Sequence, residues 1–268
     1  MPGSWMKARH LAVACGVAFA AATTAASAND APAGGGVLRY VGEARDPGGR
    51  LLYRETHYLD SRAPAPRRVV LYQCADGRPF ARKTVDGAGP APAVAFLDAR
   101  DGYQEGVRTQ GGTREVFWQE GKASPLKRAA VAKTGATVFD AGFDAYVREH
   151  FPALQQGKAV RARFLIPSRQ AAFGVSVKPV AGAPAGYLDL KTRLDAWYGF
   201  ALPELKLRYR VADRRLVRFE GIGTIRDGKG GHGKLRIDFA QPAEAIEAGE
   251  LQRAPRGFRL AAFTPCMA

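Results

Sequence analysis

Residues 138–158 read VFDAGFDAYVREHFPALQQGK, and no other long segment beyond the first 28 residues has helical spacing. Phe143, Tyr146, Val147, His150 and Leu154 recur at three- and four-residue steps, which puts them on one face of a helix. Asp140 is placed to act as N-cap, and Asp144 falls in the first turn, where a carboxylate suits the helix dipole. Pro152 should end or kink the helix, because it lacks an N–H and disfavours helical geometry at Phe151. Gly157 then supplies a stop. The expectation is one central helix, 140–156, with strands on both sides.

Outward from that segment the chain reads as strands. RLLYRETHYLD (50–60), RRVVLYQC (67–74) and RPFARKTVD (78–86) are separated by turn formers such as Pro47-Gly48-Gly49, Pro64-Ala65-Pro66 and Asp76-Gly77. AVAFLDAR (93–100), YQEGVRTQ (103–110) and TREVFWQE (113–120) follow, with Asp101-Gly102 and Gly111-Gly112 as hairpin turns. Beyond the helix the alternation is cleaner. In ELKLRYRV, Leu205, Leu207, Tyr209 and Val211 alternate with Lys206, Arg208 and Arg210; in KLRIDF, Leu235, Ile237 and Phe239 alternate with Lys234, Arg236 and Asp238. Period two means one buried face and one wet face, the mark of antiparallel sheet. No helical segment separates these strands, so parallel βαβ units are not expected. The fold class predicted is α+β, mainly antiparallel β: a curved sheet or half-open β-barrel enclosing the one helix. One β-rich domain is expected over 37–242, with 243–268 as a C-terminal tail.

The first 28 residues have the form of a signal peptide. Lys7, Arg9 and His10 make a basic start, Leu11–Ala22 is a short apolar run, and Ala26-Ser27-Ala28 is a small-residue cleavage site. The expectation is cleavage after Ala28, export to the periplasm, and a flexible stretch over 29–36. No second apolar run is long enough to span a membrane. Losing Lys7 and Arg9 takes the 40 basic residues to 38 against 25 acidic ones, a net charge of +13. Such a charge favours anionic partners, an anionic envelope surface among them, while no nucleic-acid-binding fingerprint is present.

Cys74 and Cys266 remain after cleavage, in a compartment where disulfides persist. Neither has a CxxC neighbour; a bridge between them and two separate thiols both stay open. His57, His150 and His232 lie in unrelated segments without metal-ligand spacing, so no metal and no cofactor are expected. DGKGGHGK (227–234) superficially matches a phosphate-binding loop, but Leu235 stands where Ser or Thr should be and a strand follows, so it reads as a turn. No serine lies in G-x-S-x-G. Acidic pairs such as Asp140/Asp144 or Glu105/Glu220 are the candidates left for acid–base chemistry, and they have simpler structural uses as caps and arginine partners.

Arg161, Arg163, Lys191, Arg193, Lys206, Arg208, Arg210, Lys234 and Arg236 all fall on the wet phase of their strands, predicting a broad cationic sheet face. The inward phase, Leu188, Leu190, Leu207, Tyr209 and Ile237, together with Phe143, Tyr146 and Val147 of the helix, forms the candidate ligand-binding set. Asp140, Asp144, Arg148, Glu105 and Glu220 form the candidate ionic network, in which Arg148 pairs with an acid one turn away or on the sheet.

Three stretches, DARDGYQEG (98–106), DAGFDAYVR (140–148) and RFEGIGTIRD (218–227), together resemble an uncharacterised family of exported proteobacterial proteins. The order of elements is similar to the lipoprotein-localisation-factor superfamily, which holds acyl chains inside a half-barrel. That resemblance implies a non-enzymatic periplasmic protein binding a lipid-like, apolar or amphipathic ligand. Two other readings stand beside it: an envelope interaction protein with a filled core and a cationic face, and a hydrolase using the acidic residues.

Overall fold

The computed structural model describes residues 36–62, 65–194, 204–227, 230–250 and Cys266. The segment 1–28 read as a signal peptide, its expected cleavage site, residues 29–35 and most of the stretch read as a C-terminal tail lie outside the described residues.

Strands dominate. The first run is β1 (Val37–Arg45), β2 (Leu51–Asp60), β3 (Arg67–Gln73), β4 (Pro79–Asp86), β5 (Ala93–Asp98), β6 (Gln104–Gln110), β7 (Thr113–Gln119) and β8 (Lys127–Ala130). A 3-10 turn, Val131–Thr134, leads to β9 (Val138–Phe139), then α1 (Gly142–Glu149), α2 (Phe151–Gln155), β10 (Val160–Ile166), β11 (Ala171–Val180), β12 (Tyr187–Leu194), β13 (Leu205–Arg210), β14 (Arg215–Arg226), β15 (His232–Asp238) and β16 (Glu244–Ile246). All belong to one sheet of 16 strands, in the order β8 to β1 and then β15 down to β9, with β16 beside the first residues of β1.

This corrects the expected α+β fold built around a central helix. A single large sheet carries the fold, and the helical part is two short pieces of 8 and 5 residues packed against β9 and β11. The break falls at His150 because Pro152 occupies the first turn of α2, where its missing N–H is tolerated, while its ring bars continuation of α1. Asp140 does not cap α1: Ala141 is the N-cap, without a side-chain cap bond, and the Asp140 side chain turns elsewhere. A second correction concerns β9 and β10, which pair in parallel across α1 and α2, a miniature βαβ unit. The strand β16, inside the stretch read as tail, is part of the sheet.

The two ends of the sheet, β8 and β9, are neighbours in the chain. Val107 and Val116 from β6 and β7 pack with Val131, Phe139 and Leu165 from the turn, β9 and β10. The Phe139 amide donates to Pro90 O at 2.9 Å, and Arg114 lies over the Phe139 ring at 4.8 Å. The sheet therefore curls until its ends meet through side chains, giving a barrel-like wall with an inside. α1 starts hard against that wall: a Cβ at Gly142 would lie 2.1 Å from Pro90 O, so only glycine fits.

Two apolar clusters fill most of the interior. One joins Ala44, Tyr53, Tyr72, Phe80 and Phe96 to Leu235, Ile237 and Phe239; the other joins Val147, Phe151 and Leu154 to Val177, Leu190, Leu207 and Tyr209. A disulfide between Cys74 and Cys266, 192 residues apart, ties the end of the chain to the first cluster. Closing so long a loop restricts the unfolded chain by about 5 kcal/mol on the chain-entropy model.

Phe143, the first residue of the apolar helical face read from the sequence, is half-buried, whereas Phe151 is 0 % exposed and edge-on to Tyr209. Phe151→Ala is expected to cost about 3–5 kcal/mol through lost burial and a residual cavity. Phe143→Ala should cost less, and urea midpoints of the two variants give the order.

Candidate functional site

Residues directly opposite on neighbouring strands point to the same side of a sheet. One such row runs Tyr40, His57, Val70, Lys83, Phe96, Glu105 and Trp118 across β1 to β7. The next row carries Glu55, Tyr72, Ala81 and Asp98. Both rows face the interior, so the register alone delivers a lysine, a histidine and three carboxylates to the inside of the wall. Asp140, Asp144 and Arg148 reach the same space from the start of α1.

The contacts are specific. Lys83 Nζ donates to Asp140 Oδ1 at 2.7 Å, with the lysine side chain 7 % exposed. Asp140 sits at φ 40°, a left-handed conformation that Asp tolerates better than most residues. Glu105 accepts from the Tyr103 hydroxyl at 2.7 Å. His57 Nε2 lies 3.2 Å from Glu55 Oε2, both residues are buried, and the Tyr40 ring stacks on the imidazole at 4.6 Å. Asp144 accepts from the Tyr209 hydroxyl at 3.0 Å and pairs with Arg148 at 3.0 Å. The Arg68 guanidinium donates a long bond, 3.5 Å, to Ala141 O.

Burial shifts the titration of this group. It raises Glu105, with the Tyr103 hydrogen bond opposing only in part. It lowers His57, against the favourable contact with Glu55. Tyr72 is pushed well above the usual phenol range by burial and then by the Glu55 and Asp140 charges. His57 Nδ1 and the Tyr53 hydroxyl are buried without a hydrogen-bond partner. Four carboxylates thus lie close together, yet Glu55, Glu105, Asp140 and Asp144 each already have a partner. Among the described residues no group of three His, Cys, Asp or Glu could hold a metal ion.

The three stretches singled out in the sequence meet here. Asp98 accepts from Arg100 at 3.0 and 2.6 Å, and Arg100 Nη2 also donates to Arg226 O at 3.0 Å. Arg226 stacks over Tyr103 at 4.7 Å, which joins 218–227 to 98–106. Glu105 then adjoins the Lys83–Asp140 pair, bringing in 140–148. Gly223 makes room for this arrangement, since a Cβ there would fall 2.4 Å from Leu235 and 3.4 Å from the Tyr53 hydroxyl.

Of the expected ionic network, Asp140, Asp144, Arg148 and Glu105 come together. Glu220 does not: it faces outward on β14, in register with Lys206 and Arg236. Of the expected ligand set, Tyr146, Val147, Leu190, Leu207, Tyr209 and Ile237 are buried in the protein's own packing, while Phe143 and Leu188 keep partial surface. The outer cations are largely partnered. Arg208 pairs with Asp189, Lys191 with Glu204, and Arg218 and Arg236 with Asp238, so a charge-paired lattice replaces the uniform cationic face.

Sequence reasoning missed Glu55, His57, Arg68, Tyr72 and Lys83. The signal was phase: Lys83 falls in step with Ala81 and Val85, and Glu55 and His57 in step with Tyr53. Charged residues on the apolar phase of a strand mark an interior that is not wholly apolar.

No protein-family model matches the chain, and no curated protein matches it. Among solved structures it is similar to the crystal structure of a β-barrel-like protein of a domain of unknown function, DUF1849, from Brucella abortus. The two are 8 % identical, with 80 % of this chain and 98 % of that chain covered and a TM-score of 0.43. The likeness brings no activity with it, and the barrel-like wall rests on the contacts between the sheet's own ends.

The shifts give a pH test. A histidine whose folded value is lowered binds fewer protons folded than unfolded, so its stability contribution is lost as pH falls below about 6.5. Glu105, raised in the fold, works the other way: it costs stability as pH rises from its unfolded value. Urea midpoints should fall between pH 7.5 and 5.5, and His57→Gln should flatten that fall. Glu105→Gln should raise the midpoint at pH 7.5 and lose this advantage near pH 4.

Proposed function

We propose that the protein is an exported, non-enzymatic binding protein of the cell envelope that takes an amphipathic ligand into its barrel-like interior. One observation carries the reading: the polar centre is enclosed by the wall, yet its lining is not fully packed. Tyr40, Arg68, Glu105, Asp140 and Asp144 keep partial surface although they face inward. Apolar side chains beside them do the same, notably Phe143, Leu216 and Phe219, the last two lying between the two main clusters. An interior with wet polar groups at one place and incompletely covered apolar groups next to it suits a guest with a polar head and an apolar body. Export rests on the N-terminal segment, whose basic start, short apolar run and small-residue site favour it.

A second reading, an envelope interaction protein with a filled core, is favoured by the burial of most of the expected ligand set. It predicts no uptake of any acyl probe. The hydrolase reading loses support, because every carboxylate of the centre is committed to a lysine, arginine, histidine or tyrosine.

Delipidated protein lacking residues 1–28 is expected to bind a fluorescent fatty-acyl probe with micromolar affinity, about −8 kcal/mol. Displacement by unlabelled fatty acids should strengthen with chain length at about 150 mM salt. Binding that ignores chain length and vanishes at that salt would instead assign the signal to surface charge.

A further inference from the structure

We propose that the hairpin tip between β11 and β12, together with the lysines beside it on the outer face, is a docking surface for an anionic phospholipid bilayer. Such docking does not depend on what the interior holds.

Residues 180–187 read VAGAPAGY, eight residues without a charge. All are exposed except the half-buried Ala183, and Val180 and Tyr187, at 40 % and 38 %, are the exposed large apolar side chains among the described residues. The turn is held in shape: Gly182 and Gly186 supply positive φ, the Tyr187 amide donates to Pro184 O at 3.0 Å, and the Val211 amide donates to Gly186 O at 2.8 Å.

Register sets what surrounds this tip. Lys178, Lys191 and Lys206 stand opposite one another on β11, β12 and β13, on the same outward phase as Val180 and Tyr187. Outer cations elsewhere are mostly paired, but on these three strands six outward cations meet three acids on the strands and at their ends. Arg208 has Asp189, Arg210 has Asp213, and Lys191 and Arg193 share Glu204. Lys178 and Lys206 have no ion pair among the described residues. Glu220 lies opposite Lys206 on β14, and equally opposite Arg236. A groove of about 360 Å³, lined by Val180, Lys191, Lys206 and Arg208 with Asp189, Glu204 and Glu220, joins the tip to the lysines.

Like charges directly opposite on a sheet repel, so three lysines in one row destabilise it unless anions gather there. A contiguous exposed apolar run is unfavourable in water and gains from being covered. One occupant answers both features: a bilayer whose phosphates meet the lysines while Val180, Pro184 and Tyr187 enter the headgroup–acyl boundary. Tyrosine suits that boundary, with an apolar ring and a hydroxyl left wet. The groove offers one phosphate a place between Lys191 and Lys206. A second copy of the chain fits less well, because a twofold contact through this patch would set lysines against lysines. A soluble polyanion would meet the lysines and leave the apolar tip wet.

The test is co-sedimentation of protein lacking residues 1–28 with vesicles of phosphatidylcholine, with and without phosphatidylglycerol, at about 150 mM salt. Binding is expected only where phosphatidylglycerol is present. Each lysine lost should weaken it about fivefold, so Lys178→Gln with Lys206→Gln should weaken it more than about tenfold. Val180→Ser with Tyr187→Ser should weaken it about tenfold. All four side chains are exposed, so both double variants should keep the parent's urea midpoint. Tryptophan introduced by Ala185→Trp should shift its emission to the blue on phosphatidylglycerol vesicles, and sedimentation without that shift would overturn the role of the tip. No sedimentation of the parent, or equal sedimentation with both kinds of vesicle, would overturn the proposal. Binding that survives the serine substitutions unchanged and is lost with the glutamine ones would assign the face to a soluble polyanion, and overturn the bilayer. A concentration-dependent dimer in solution, abolished by Tyr187→Ser, would assign it to a second copy of the chain and overturn the bilayer as well.

Discussion

The ion pair between Lys83 and Asp140 is the interaction on which the interior depends. It spans 57 positions of sequence and joins the middle of β4 to the segment that launches α1, with the lysine almost wholly withdrawn from solvent. A lysine buried alone would cost several kcal/mol. Its pairing requires Asp140 to abandon the capping position and adopt φ 40°. That small strain is held by neighbours that leave little freedom, Gly142 jammed against Pro90 and the Phe139 amide bonded to the same carbonyl. The pair fixes where the helical segment meets the first half of the sheet, and α2 fixes where it meets the second half.

A wall of sixteen strands with its ends brought together by Val107, Val116, Val131, Phe139 and Leu165 needs something inside. Two apolar clusters supply most of the filling. Between them the chain spends its charged and phenolic side chains in pairs: Glu55 with His57, Glu105 with Tyr103, Asp144 with Arg148 and Tyr209. Nearly complete pairing stabilises a unique arrangement. Arg68 and Arg215 have no ion pair among the described residues, Arg215 donating instead to Gln241 O and lying over the Tyr40 ring, and the incompletely covered Phe143, Leu216 and Phe219 lie in the same interior.

Much of this was legible in the sequence. Turn residues punctuated the strands, period-two alternation marked the second half, and the glycine loop at 227–234 closes a hairpin between β14 and β15. Pro152 announced a break, and the break is there, although it leaves two short helices where one longer helix had been expected. The fold class was misjudged because one amphipathic segment was given the organising role. A short apolar face such as that of 142–155 needs only a strip of sheet to cover it; the sheet's own curl supplies the architecture. That curl follows from contacts between β6–β7 and β9–β10, which no local pattern encodes. The polar centre was missed for a related reason. Lys83, Arg68 and Glu55 occupy the apolar phase of strands whose alternation is otherwise regular, and phase was used to find apolar residues but not to question the charged ones among them.

A double-mutant cycle on Lys83→Met and Asp140→Asn, read by urea unfolding at pH 7, tests most directly whether this pair holds the interior together. Either substitution alone should destabilise by about 3–5 kcal/mol, since each strands an enclosed charge. The double variant should lose markedly less than the sum, with a coupling of about 1.5–3 kcal/mol. Losses that simply add, to within about 0.5 kcal/mol, would mean that the two side chains act independently and that the wall and the helical segment are joined by something else.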